Sequence, residues 1–168
     1  CGWRQRAGAL VTLGRLFIVP NLLGVVAPEH VLPAHTMTVA RGLAHYVVES
    51  AKPARAFLQS LVPTLPIRQI DIVELGDTPE PARCAELLAP ARDGGCPGIA
   101  DPGALLVAQA HREGIGVVPL VGPSSVALAL MASGMNGQGF SFHGYLPVKD
   151  DARTAAIHQL EADSRRTG

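Results

Sequence analysis

Val117, Val118, Pro119, Leu120 and Val121 form an almost wholly apolar run that ends at Gly122-Pro123 and passes, after Ser124 and Ser125, into the helical stretch carrying Ala127, Leu128, Leu130 and Met131 before Ser133-Gly134. A strand without alternation is one buried on both faces, and such strands belong to parallel sheets covered by helices. This one stretch therefore predicts an α/β fold. Pro123 presets φ for the first helical turn, and Ser124 and Ser125 set hydroxyls beside the N–H groups that a helix start leaves unpaired. A ligand rich in oxygen fits such a turn, and so does a plain capped core helix.

The rest of the chain alternates in the same sense. Leu16–Val19 reads as a first buried strand closed by Pro20 and Asn21, with Gly24 allowing a sharp turn. Ala34–Gly42 is a weak helix, since Thr36, Thr38 and Val39 are poor helix formers. His45–Glu49 is a second strand, and Lys52–Leu61 a helix with Pro53 in its first turn and Ala54, Phe57, Leu58 and Leu61 on one face. Thr64–Leu75 holds the alternating set Ile70, Ile72, Val73 and Leu75, and Thr78 is placed to cap a helix from Pro79 to about Ala91. A helix capped by Asp101 then follows directly across the loop Arg92–Ala100. A strand is expected at Phe140–His143, and a charged helix from about Asp150. The alternation argues an open, mainly parallel sheet with crossover helices on both faces.

Two helices meeting across a Gly/Pro loop break that rhythm. Residues Arg92–Ala100 include Gly94, Gly95, Cys96, Pro97 and Gly98, a poor strand composition. The expectation here is a sheet with one strand fewer, or an irregular link, and a Gly95 loop too weakly supported to bind a ligand well.

At 168 residues the chain is one domain's worth, able to bury roughly 70% of its unfolded surface. Residues 1–13 have no clear period and read as a leader or fragment end; 14–149 form the main domain, and 150–168 lead towards a second. Lys plus Arg and Asp plus Glu number 14 each, so there is no bulk field to draw in nucleic acid or an anionic membrane. Cys1, Cys84 and Cys96 have neither C-x-x-C spacing nor a zinc-finger partner, which reads as reduced thiols in a cytoplasm. His30 and His35 stand among prolines without a third ligand, so no metal site is expected. Apolar runs are too short for a membrane span.

In an open parallel sheet, ligands bind outside the carboxyl ends of the strands. The loops gathered there are 20–25, 49–52, 94–103, 122–125 and 144–149, rich in Gly and Pro and poor in strong acids, bases and nucleophiles. Neither G-x-x-x-x-G-K-[ST] nor G-x-G-x-x-G occurs. Ser124 lies in G-P-S-S, not in a nucleophile elbow. Cys96 has no base beside it, and the lone His143 reads first as a hydrogen-bonded wall residue.

Together these blocks resemble the tetrapyrrole methylase superfamily of S-adenosylmethionine-dependent methyltransferases, and within it the group of ribosomal RNA small-subunit cytidine 2′-O-methyltransferases. The resemblance runs through Leu16-Phe17-Ile18-Val19-Pro20 with Gly24, Glu49 with Lys52, the block Gly95–Gly103 (GCPGIADPG), Val118-Pro119-Leu120 with Gly122-Pro123-Ser124-Ser125, Ala132-Ser133-Gly134, and Gly144–Lys149 (GYLPVK). The Gly95–Gly103 and Gly122–Gly134 blocks are the specific ones. Three departures stand out: Asn21-Leu22-Leu23-Gly24-Val25 replaces Thr-Pro-Ile-Gly-Asn, Ser50 replaces an acid after Glu49, and Asp93-Gly94 runs straight into the loop where the family has a strand ending in Ser, an acid and Ala.

The resemblance implies a two-domain, dimeric enzyme whose first domain is a five-stranded parallel sheet, with a folded cofactor in the cleft between domains. It implies S-adenosylmethionine as cofactor, with Pro20, Gly95, Cys96, Pro97, Ile99, Ala100, Asp101, Gly122, Ser124, Ser125, Ser133 and Gly134 as its binding residues and Tyr145, Leu146 and Pro147 as cleft wall. Glu49 and Lys52 fall on the substrate side, Glu49 as the candidate base. A hydroxyl of RNA is the first acceptor. A precorrin- or uroporphyrin-type tetrapyrrole acceptor, or a non-catalytic module holding the cofactor or another nucleotide, are the alternatives.

Overall fold

The computed structural model describes residues 13–76, 79–92, 98–99 and 103–167. The chain divides into two compact units, Cys1–Ser124 and Ser125–Gly168.

The first unit is a five-stranded, all-parallel sheet in the order β3-β2-β4-β1-β5. Its strands are β1 (Arg15–Ile18), β2 (His45–Val48), β3 (Asp71–Glu74), β4 (Gly98–Ile99) and β5 (Gly116–Pro119). Between them run α1 (Ala34–Gly42), α2 (Ala51–Leu61), α3 (Pro81–Leu87), α4 (Ala89–Arg92) and α5 (Ala104–Arg112).

Side chains alternate along each strand, and the two sets build two cores. Leu16, Ile18, Val47, Val73 and Val117 pack with Cys84 and Leu87 of α3, Ala91 of α4, and Leu106 and Ala110 of α5. Phe17, Val19, Tyr46, Val48 and Ile72 pack on the opposite face with Ala40 of α1 and Leu58 and Leu61 of α2. Helices therefore cover both faces, as the sequence predicts. The split follows from handedness. The chain steps one way across the sheet from β1 to β2 to β3 and the other way from β3 to β4 to β5, so right-handed crossovers must place α1 and α2 on one face and α3 to α5 on the other.

The sheet has its five strands. The fourth is only Gly98–Ile99, paired on one side with Phe17 and Ile18 and on the other with Tyr46 and Val47. Part of the stretch expected to be a loop is thus the centre of the sheet. Two flanking parallel strands offer free N–H and C=O groups on both sides, and pairing with them outweighs the poor strand propensity of glycine. Residues 93–97 and 100–102 lie outside the described residues.

Other local expectations shift for identifiable reasons. Ala34–Gly42 is a full nine-residue helix, because packing of Ala40 and buried Thr36 outweighs weak propensity. The helix expected over 79–91 starts at Pro81, with Glu80 in the cap position, and divides at Leu88 into α3 and α4. The α5 cap is Gly103 and not Asp101. β5 is an edge strand with Val117 and Val118 only half-buried, so it is not covered on both faces, and Val121 is exposed. An edge also tolerates Pro119, which has no N–H to give a neighbour.

The second unit holds α6 (Ser125–Ala132) and α7 (Asp150–Thr167). Because α6 begins at Ser125, Pro123 precedes its first turn and does not sit in it. Phe140–His143 is irregular and exposed, not a strand: hydrogen-bonded pairing, not apolar content, makes a strand. None of the described residues of this unit is buried; Leu128, Met131 and Phe142 are all more than half exposed. Among the described residues, no helix is long and apolar enough to cross a membrane.

Candidate functional site

β1 and β4 are neighbours whose onward connections leave to opposite faces, α1 to one and α5 to the other. Where connections diverge in this way, no helix closes over the carboxyl ends of the two strands, and a crevice opens. The site is therefore set by topology. On the β1 side its rim is Val19, Pro20 and Asn21. The β4 side continues from Ile99 into residues 100–102.

The turn after β5 is held against this rim. Leu120 N donates to Ile18 O at 2.9 Å, extending the β1–β5 pairing by one residue. The hydroxyl of Thr36, buried in α1, donates to Val121 O at 2.7 Å. Gly122 then packs so closely on Pro20 that a Cβ there would overlap the proline ring and press on Leu32 at 3.3 Å. Absence of a side chain, not a special φ, is what position 122 requires.

Beside the crevice lies a cavity formed by the carboxyl ends of β1 and β2 and the start of α2. Buried Val19, Val48 and Leu58 close its inner end, Pro53, Ala54 and Phe57 of α2 form a wall, and exposed Asn21, Glu49 and Ser50 ring its opening. Tyr46 also contributes. Burial raises its phenol pKa far above 10.0, and its hydroxyl donates to Ala40 O. That carbonyl is one of the last four of α1, which a helix cannot satisfy itself; Arg41 O is similarly met by Thr64 N at 2.9 Å. Ser50, in the cap position of α2, makes no side-chain cap bond. Glu74, at the end of β3, takes its place, accepting from Ala51 N at 2.7 Å, where the helix dipole favours a carboxylate.

Of the residues singled out from sequence, the structure brings together Pro20 and Gly122 by direct packing, and sets Glu49 at the cavity opening. Lys52 is exposed on the first turn of α2, and Ile99 is half of β4. Gly95, Cys96, Pro97, Ala100 and Asp101 lie outside the described residues. Ser124 ends the first unit. In the second, Ser125 opens α6, Ser133 Oγ donates to Leu130 O and accepts from Met135 N, Gly134 has φ +69, and Tyr145, Leu146 and Pro147 are exposed.

Sequence reasoning missed Asn21, Pro53 and Phe57 as lining residues and Glu74 as the cap. For the helix residues a signal existed. Pro53 and Phe57 are four apart and fall on one face. Glu74 carried none, since its partner lies 23 residues away.

No family model matches the chain. Among curated proteins, it is 35% identical over 166 residues to the "Ribosomal RNA small subunit methyltransferase I" of Xylella fastidiosa, covering 92% of this chain and 57% of that protein. The Escherichia coli O157:H7 protein of the same name is 29% identical over 171 residues, 96% of this chain and 57% of the relative. That of Vibrio cholerae is 47% identical over 73 residues, 44% of this chain and 25% of the relative. The chain spans between a quarter and little more than half the length of these relatives.

Proposed function

We propose that this chain carries the cofactor-binding part of an S-adenosylmethionine-dependent methyltransferase acting on a hydroxyl of small-subunit ribosomal RNA. The observation that carries this reading is the switch point: the strand order opens a crevice at β1 and β4, and the Gly95–Gly103 block, the most specific part of the family resemblance, runs through β4. The relatives' shared name favours an RNA acceptor over a tetrapyrrole, and an enzyme over a binding module.

The residues present fit such a cofactor. Pro20 packed on Gly122, with the Val121 carbonyl held by Thr36, makes a rim of fixed backbone edges bare of bulky side chains. Backbone edges suit a molecule dense in amine, hydroxyl and carboxylate groups. Pro20, Gly122 and Ser124 would hold it together with Gly95, Cys96, Pro97, Ile99, Ala100 and Asp101 around β4. Ser125, Ser133, Gly134, Tyr145, Leu146 and Pro147 are the assigned residues of the second unit.

Bound S-adenosylmethionine supplies a methyl group already made electrophilic by its sulfonium. The chain's own work is then mostly positioning, which suits a site poor in strong catalytic groups. Glu49 accepts the proton that the acceptor hydroxyl gives up, and Lys52, on the exposed face of α2, meets a backbone phosphate. The same proposal takes residues 14–149 as the cofactor-binding domain, 150–168 as the lead into a second domain, and the protein as a cytoplasmic homodimer.

Calorimetry with S-adenosylmethionine and a labelled-methyl assay test this on the product of the whole reading frame. Binding with transfer to small-subunit RNA is the expected result. Binding without transfer would make it a module, and transfer to a tetrapyrrole alone would replace the acceptor.

A further inference from the structure

The cavity under α2 measures about 70 Å³. That is room for roughly five waters. It suits a single six-membered ring and is too small for a fused purine. Its walls are apolar: Pro53, Ala54 and Phe57 on the helix side, against buried strand ends. A sugar there would leave hydroxyls unpaired at a cost, whereas a flat aromatic ring brings faces that need no partner. Polar groups occur only at the opening, where Asn21 offers both donor and acceptor and Glu49 an acceptor. This is the arrangement that receives a base drawn out of its stack: apolar contact to the faces, hydrogen bonds to the edge.

Its position matters as much as its lining. Gly98 stands in register with Phe17 and Tyr46, whose side chains point to the α2 face, so β4 brings no side chain there between β1 and β2. Asn21 follows β1, whose carboxyl end also borders the β1/β4 crevice. A ring seated in the cavity thus lies beside the crevice, with its substituent directed out past Asn21 and Glu49.

We infer that this cavity holds the pyrimidine base of the nucleotide to be methylated, an inference that rests on reading the chain as an RNA methyltransferase. The target nucleotide is then unpaired or flipped when it binds.

Nuclear magnetic resonance titration of the ¹⁵N-labelled 168-residue chain with cytidine, uridine and adenosine tests this without cofactor or turnover. Saturable shifts are expected at the amides of Asn21, Glu49, Ser50, Ala54 and Phe57, with both pyrimidines bound several-fold more tightly than adenosine. Ala54→Phe, which fills the cavity, should weaken pyrimidine binding at least tenfold with an unchanged circular dichroism spectrum. If that variant does not fold, Asn21→Ala at the exposed opening should weaken binding at least threefold. Absent or scattered shifts, adenosine bound as tightly, or undiminished affinity in the folded variant would overturn the pocket. The two readings fail separately: nucleoside binding in a protein that transfers no methyl sinks the enzyme, and RNA methylation at unchanged KM in Ala54→Phe sinks the pocket alone.

Discussion

Tyr46→Phe removes one oxygen and leaves the ring, so it isolates the hydrogen bond to Ala40 O from the packing around it. Both residues are buried, at 3% and 1% exposure. The carbonyl belongs to the last turn of α1 and has no N–H of its own helix to fall back on. A buried acceptor left without its donor costs about 1–3 kcal/mol. With a urea dependence of about 2 kcal/mol per molar for a domain of this size, the unfolding midpoint should fall by about 0.5–1.5 M at unchanged slope. Urea titration at neutral pH, followed by far-ultraviolet circular dichroism, measures it. A loss below about 0.5 kcal/mol would show that water reaches Ala40 O and that the capping argument is wrong. Alkaline pH gives a second reading. Burial raises the folded pKa of Tyr46 above the 10.0 of a free phenol, so above pH 10 the unfolded chain loses a proton that the folded chain keeps. Stability is complete below that point and falls above it by about 1.4 kcal/mol per pH unit, a slope that Tyr46→Phe abolishes. Of the two tyrosines, exposed Tyr145 should ionise normally and Tyr46 only on unfolding.

Gly122→Ala forces a Cβ into the Pro20 ring and should cost about 1–3 kcal/mol in thermal or urea unfolding, with a several-fold loss of S-adenosylmethionine affinity by calorimetry. Thr36→Val keeps the shape but removes the donor to Val121 O; a loss of about 1 kcal/mol is expected, with faster amide exchange at Val121 and Gly122. Glu74→Ala takes the carboxylate from the start of α2 and should cost about 0.5–2 kcal/mol, read in the same unfolding assay.

What could be read from sequence was whatever is carried by neighbours along the chain. Leu16–Val19, His45–Glu49 and the α2 face of Leu58 and Leu61 are set by runs and periods within a few residues, and these stand within a residue or two of their places. What could not be read depends on partners far away. Gly98–Ile99 is a strand only because β1 and β2 flank it, and nothing local in GCPGIADPG says so. Phe140–His143 fails in the reverse direction, apolar enough for a strand but without one to pair with among the described residues. The crevice was legible in outline, as a set of loops at one end of the sheet. The cavity was not, because it joins the turns after two strands that are not adjacent in the sheet.

The register of β1 also bears on how the protein is made. β1 lies between β4 and β5, with Phe17 paired to Gly98 and to Val118. Its first hydrogen-bonding partner is therefore translated roughly eighty residues after it, a delay of about 4–16 s at ordinary elongation rates. Through that interval α1, β2, α2 and β3 emerge and can assemble around the β2–β3 pair, while β1 offers two open edges with nothing to match them. Ribosome-associated chaperones have their clearest client in this apolar segment, and closure of the sheet waits for the two-residue strand at its centre.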